Sequence, residues 1–207
     1  MKIRPFRSNP VLQGIVLWLV VFWAITAIHP LYPRDWLLEN LLVFICAALL
    51  VFTYRRFTFS NLSYALFAVF LSFHLLGAHY TYSETPPGFW LQAWFGFERN
   101  HYDRIVHFLF GLLIAYPIRE LLLRESGVKR NWSYLLTVNC IMAFSAVYES
   151  LEAIAAMIVD PELGCAYLGT QGDEWDAQKD AFLAFIGAII AMLLAWRCSR
   201  HGKVNPG

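Results

Sequence analysis

Six apolar runs of roughly membrane-spanning length dominate this chain, at about 11 to 31, 37 to 54, 62 to 82, 104 to 123, 132 to 158 and 180 to 196. A hydrocarbon core takes about 20 helical residues to cross. The expected fold is therefore all-α, a polytopic membrane bundle of six transmembrane helices forming a single domain over residues 1–207. Composition agrees: 58% of residues are hydrophobic, 17% aromatic and only 15% charged, far from the soluble average.

The polar breaks orient these runs. Twelve Lys and Arg residues fall at the N-terminus, after the second run, after the fourth and at the C-terminus, against four (Arg34, Arg99, Arg104, Lys179) in the other breaks. The positive-inside rule then places both termini in the cytoplasm and the breaks at 29 to 36, 83 to 103 and 159 to 180 outside an inner membrane. The bases are accounted for by orientation, and no nucleic-acid partner is expected. The first run follows a basic stretch, as in a signal peptide, but its core is longer than usual and no small-x-small cleavage site follows, so it reads as a retained anchor. Cys46 and Cys140 fall in spans, Cys198 inside and Cys165 outside, which leaves no intrachain external disulfide and no CxxC motif.

The acids are more informative. Thirteen of fifteen lie in the external breaks or the outer halves of the spans, only Glu120 and Glu125 lie inside, and the two halves carry −9 and +10. Carboxylates contribute little to topology, so orientation does not explain them. Five of the six histidines (His29, His74, His79, His101, His107) lie on the same outer side.

Helical spacing groups these residues. Asp103 and His107 share one stripe of the fourth run, with Gly111 a turn deeper leaving room for an approaching group. Glu149 and Glu152 share a face of the fifth run, roughly 10 to 15 Å below its outer end, where an ionisable group costs at least ~2.5 kcal/mol and is by default paired, solvated or functional. His74 lies at a similar depth in the third run, within possible reach of Glu149, and His79 is about 140° further round. Asp173, Asp176 and Asp180 form a stripe entering the sixth run and repel one another unless a cation neutralises them; adjacent Lys179 is expected to point elsewhere.

Four spans thus bring His, Asp or Glu to one depth, as in bundles that build metal sites from facing helices. His74, His79, Asp103, His107, Glu149 and Asp180 are the candidate ligands of a divalent metal ion, with Glu152, Asp173 and Asp176 as outer ligands' supports or general bases. Mixed ligation suits Zn²⁺, Mn²⁺ or Fe, and a carboxylate subset Mg²⁺ or Ca²⁺.

Plainer readings stand beside this one. Asp103 serves equally as a helix-start acid with His107 a hydrogen-bonded core residue, Glu149 and Glu152 as polar glue between helices, and Asp173 and Asp176 as a solvated loop. The aromatic break with Phe89, Trp90, Trp94, Phe95 and Phe97 is either an interfacial belt or a lid that guides an amphiphile. No GxSxG, HExxH, HxxxH or Walker motif is present.

At these residues the chain resembles the YjdF family of bacterial inner-membrane proteins, nearly end to end. More distantly, the segment from Asp103 to Gly187 is similar to the VanZ-like family, in which an Asp-x-x-x-His pair (here Asp103 and His107), a Glu in the next span (Glu149) and an Asp followed by Asn and a glycine (here Asp176, Asp180, Gly187) recur. Asp180 stands where that pattern has Asn, Glu152 where it often has Gln, and the glycine is displaced. The resemblance implies a polytopic membrane protein with one polar cluster, and a loose link to envelope lipid or peptidoglycan chemistry.

The leading expectation is a metal-dependent enzyme acting on a membrane lipid or lipid-linked head group from the outer leaflet. Two other classes use the same residues, a proton- or cation-coupled transporter and a non-catalytic assembly partner. The substrate, the metal and the oligomeric state are open.

Overall fold

A computed structural model of the chain describes residues 5–159, 164 and 167–201. Cys165 and part of the expected break at 159 to 180 lie outside the described residues, as do Lys2, Arg4 and Lys203. The described part is helical: α1 (Pro10–Thr26), α2 (Pro33–Thr53), α3 (Asn61–Tyr80), α4 (Pro86–Phe95), α5 (Tyr102–Leu109), a π-helical turn (Phe110–Ile114), α6 (Ala115–Glu125), α7 (Arg130–Ile158) and α8 (Asp176–His201). Helices keep their backbone hydrogen bonds within the segment, which a hydrocarbon environment demands.

Five helices are long and apolar enough to cross a membrane: α2, α3, the continuous α5–π–α6 segment, α7 and α8. The 17-residue α1 is shorter, about 25 Å, and stops before the end of its apolar run. Its terminus is set by Thr26, whose hydroxyl returns to the Phe22 carbonyl, by His29 with φ 51°, and by Pro30, which has no N–H to extend the ladder. At its start, Asn9 accepts from the Leu12 amide with Pro10 in the first helical position.

Two further ends are fixed by side chains. Ser60 caps α3 by accepting from the Ser63 amide, and Glu120 of α6 accepts from the Ser60 amide at 2.9 Å, the Ser60 hydroxyl at 2.8 Å and the Ser63 hydroxyl. Between α3 and α5, the aromatic break forms the helix α4, started by Pro86 and stopped by Gly96 in the left-handed region at φ 67°. Phe89, Trp90, Trp94, Phe95 and Phe97 are all exposed there, an arrangement that fits a helix lying at the membrane interface.

The bundle's centre is the crossing of α5–α6 with α8, lined by Ile114, Ala115, Ile141, Ala184, Ala188, Ala191 and Met192. Between membrane helices apolar burial gives little net drive, so close contact depends on small residues. A Cβ at Gly111 would lie 1.9 Å from the Ala184 carbonyl oxygen, and one at Gly187 2.3 Å from that of Phe108. The room expected at Gly111 is filled by the α8 backbone, and the π turn lies at this point of closest approach. α2 sits at the periphery and turns Asp35, Glu39 and Asn40 inward, while Val51 and Phe52 face outward.

Candidate metal centre

The acidic end of the bundle is the end that holds Asp103, Glu149 and Asp180. Tyr102–Leu109 carries Asp103 and His107 on one stripe, and α8 brings Asp180 against them because Gly111 and Ala184, each one turn further along its helix, let the backbones touch. One ligand atom from each of Asp103, His107 and Asp180 lies within 4.8 Å of the other two. His107 Nε2 is 3.5 Å from Asp103 Oδ1 and 3.4 Å from Glu149 Oε1. These separations are long for hydrogen bonds, yet they match the edge of about 3.4 Å that a tetrahedral ion with bonds of ~2.1 Å sets between its ligands.

Two atoms of this group lack any hydrogen-bond partner although buried, Asp180 Oδ1 and Glu149 Oε1. Asp180 is 1% exposed. A buried carboxylate oxygen left empty is costly, and a cation is the partner that satisfies several at once. Three carboxylates, those of Asp103, Glu149 and Asp180, stand beside the His107 imidazole, and Glu39 and Glu152 lie within electrostatic range of Asp103 and of each other. The donor set of the triad, one nitrogen and two carboxylate oxygens, fits a divalent transition ion.

The other expected ligands are engaged elsewhere. His74 does not reach Glu149: its Nδ1 faces the Tyr82 hydroxyl at 2.6 Å and its Nε2 the Glu39 carbonyl at 3.2 Å, which uses both ring nitrogens. His79 Nδ1 meets the Thr26 carbonyl at 2.9 Å and ties α3 to the end of α1. These two histidines join helices, the role that their depth alone did not reveal.

The aspartate stripe also divides. α8 begins at Asp176, so Asp173 precedes the helix and accepts from the Trp175 amide in a local turn. Arg99 and Arg104 bind this pair, at 2.7 and 2.9 Å to Asp176 Oδ1, and Arg104 also reaches Asp173. Lys179 does not point elsewhere, for its ammonium bonds both Asp173 oxygens at 2.8 and 2.6 Å. The neutralising charge for Asp173 and Asp176 is thus the protein's own, and only Asp180 turns to the triad. The Lys179 contact, with Arg104, holds the Asp173 carboxyl well below the usual range, while burial and the neighbouring Arg104 and Arg99 push His101 down.

The sequence reasoning missed Glu39 and Tyr148. Glu39 is 3% exposed and accepts from the Tyr148 hydroxyl at 3.2 Å, and the Tyr148 ring stands edge-on to His107, 5.9 Å away. The available signal was the spacing of Asp35 and Glu39, four apart in an otherwise apolar run.

The family described as "Predicted membrane protein (DUF2238)" matches residues 11–201. A curated relative, "Inner membrane protein YjdF" of Escherichia coli (strain K12), is 36% identical over 196 residues, covering 94% of this chain and 91% of the relative. The chain belongs to this family of membrane proteins. Its matched segment runs from α1 through α8 and includes every residue of the acidic cluster. No solved structure matches the chain.

Proposed function

We propose that this DUF2238 member is a six-span inner-membrane enzyme, with both termini cytoplasmic and the acidic end facing outward. In this reading a divalent cation sits between Asp103, His107 and Asp180 and serves chemistry on a lipid or lipid-linked head group. The observation that carries it is the pair of buried, partnerless oxygens, Asp180 Oδ1 and Glu149 Oε1, at a cluster whose three ligand atoms lie within 4.8 Å. The sixth span is α1, a shorter apolar helix of the kind that local thinning of the bilayer accommodates.

A cation bound there would acidify a water to a pKa of ~7 or polarise a phosphoryl or carbonyl oxygen. The chain's own residues divide the remaining work. His107 is the neutral nitrogen donor, and Glu149, 3.4 Å from its Nε2, is placed to hold a proton at the edge of the centre. Glu152 is the second acceptor, one turn along the same face. Asp173 and Asp176 are tied to arginines and act instead as anchors for α8.

A carrier reading draws on a different observation. The hydroxyls of Ser145 and Thr137 on α7 are buried without partners, the kind of site that water fills along a path. Ile141, 0% exposed, interrupts that line midway, which favours a centre closed toward the basic end.

Reporter fusions at each terminus test the orientation. Cytoplasmic signal at both ends is expected, and an external C-terminus would overturn it. Comparing lipid profiles of cells with and without the protein, complemented by wild type or Asp180→Asn, tests the chemistry: a head-group change restored only by wild type is expected, and identical profiles would count against an enzyme.

A further inference from the structure

His107 lacks one support that a histidine ligand ordinarily has. A metal-bound imidazole is almost always oriented by a hydrogen bond from its second ring nitrogen to a carbonyl or carboxylate. Both charged contacts of His107 are made by Nε2, to Asp103 and Glu149, and among the described residues Nδ1 makes no hydrogen bond. What meets the ring instead is Tyr148, edge-to-face with centroids 5.9 Å apart. Tyr148 precedes Glu149 on α7, so one helix presents two consecutive side chains to one imidazole.

Tyr148 is held in turn by α2. Its hydroxyl donates to Glu39 Oε2 at 3.2 Å, and Glu39 is fixed from behind. The Glu39 carbonyl can only accept, so the His74 nitrogen that faces it, Nε2, carries the ring proton. His74 Nδ1 is then the acceptor for the Tyr82 hydroxyl at 2.6 Å. On either side of Glu39 along α2, Asp35 accepts from the Thr81 hydroxyl and Asn40 accepts from Trp23 Nε1 at 2.9 Å. The three buried side chains of α2 are thus set by α1, α7 and the link that follows α3, and Glu39 is the one that meets α7.

We propose that Glu39 and Tyr148 are positioning residues of the candidate centre: Glu39 fixes the Tyr148 side chain, and the Tyr148 ring fixes the imidazole plane of His107 for the cation. Both act through His107. The same chain gives His74 a part, since its bond to the Glu39 carbonyl helps to hold α2 in register with α7. The proposal rests on the cation reading of Asp103, His107 and Asp180. An aromatic pair of this geometry shifts an equilibrium by about 2- to 10-fold, and the support of a metal ligand by about 10- to 100-fold.

Co²⁺ titration of the detergent-purified full chain, followed by visible absorption, tests this, because the band shape reports the geometry of the ligands and not the stability of the fold. Tyr148→Leu should bind Co²⁺ about 10- to 100-fold more weakly and with an altered band shape, and Tyr148→Phe, which keeps the ring, only about 2- to 10-fold more weakly. Glu39→Gln, whose amide oxygen still accepts from Tyr148, should keep the wild-type spectrum, and Glu39→Leu should lose it. Thermal unfolding identifies the folded preparations, and if Tyr148→Leu does not fold, the two Glu39 variants decide. Wild-type spectra in folded Tyr148→Leu and Glu39→Leu protein, or equal impairment in Glu39→Gln and Glu39→Leu, would overturn the positioning role and leave the cation centre standing. Wild-type protein that takes up no Co²⁺ would overturn the cation reading, and this assignment with it.

Discussion

Gly111 and Ala184 bring two helices into backbone contact, and each stands four residues beyond a member of the candidate centre. Gly111 follows His107 on α5–π–α6, and Ala184 follows Asp180 on α8. A Cβ at Gly111 would come 1.9 Å from the Ala184 carbonyl oxygen, so the backbones must separate to admit one. Gly111→Ala should therefore cost about 1 to 3 kcal/mol as overpacking and also lower metal occupancy. Thermal unfolding and metal content, measured on the same preparation, check both; a variant stable and metal-loaded as wild type would sever the crossing from the centre.

Glu120 offers the opposite dissection. It accepts from Ser60, Ser63 and Arg124 far along the bundle from the acidic end, joining α6 to the start of α3. Glu120→Ala should destabilise by about 1 to 3 kcal/mol because Ser60 and Ser63 lose their acceptor. Metal content per folded molecule should stay at the wild-type value. A drop in occupancy matching that of a triad variant would show that metal loading reports stability alone.

The Arg104 contacts predict coupling. Arg104→Gln leaves Asp176, 6% exposed at its side chain, with fewer partners and should cost about 2 to 3 kcal/mol. Asp176→Asn in the same chain should recover part of that loss, as expected for groups in one network. Strict additivity of the two losses in thermal or denaturant unfolding would mean the ion pair contributes nothing specific.

Asp173 carries a pH signature. Its carboxyl is held low in the folded chain, first by Lys179, so the stability it contributes is complete above the unfolded value of about 3.9 and disappears as pH falls through the lower folded value. The stability difference between wild type and Asp173→Asn should be constant at neutral pH and shrink below about pH 4. A difference that grows on acidification would reverse the assigned sign.

Much of this architecture was legible because apolar length and the four-residue spacing of Asp103 and His107 are local properties. The apolar run at 11 to 31 extends beyond α1 because hydropathy continues past Thr26 while His29 and Pro30 stop the helix. The break holding Trp90 hid α4, whose start and stop depend on Pro86 and Gly96. Within the cluster, spacing could group residues on one helix but could not choose partners between helices. His74 found Tyr82 and a backbone carbonyl, Lys179 turned back onto Asp173, and Glu39 entered from a helix whose other faces look to lipid. Asp103, Glu149 and Asp180 lie beside His107, and Asp176 is held by arginines at their margin.

The most direct measurement is metal stoichiometry by elemental analysis of full-length protein purified without a histidine tag. A single divalent ion per folded chain is the predicted result, lost in His107→Ala and in Asp180→Asn, with affinity lowered about 10- to 100-fold in Asp103→Asn if that carboxylate only orients the ring. All three variants should insert and fold. Folded wild-type protein that stays metal-free after incubation with Zn²⁺ and Mn²⁺, or variants that keep the ion while losing only thermal stability, would contradict the account.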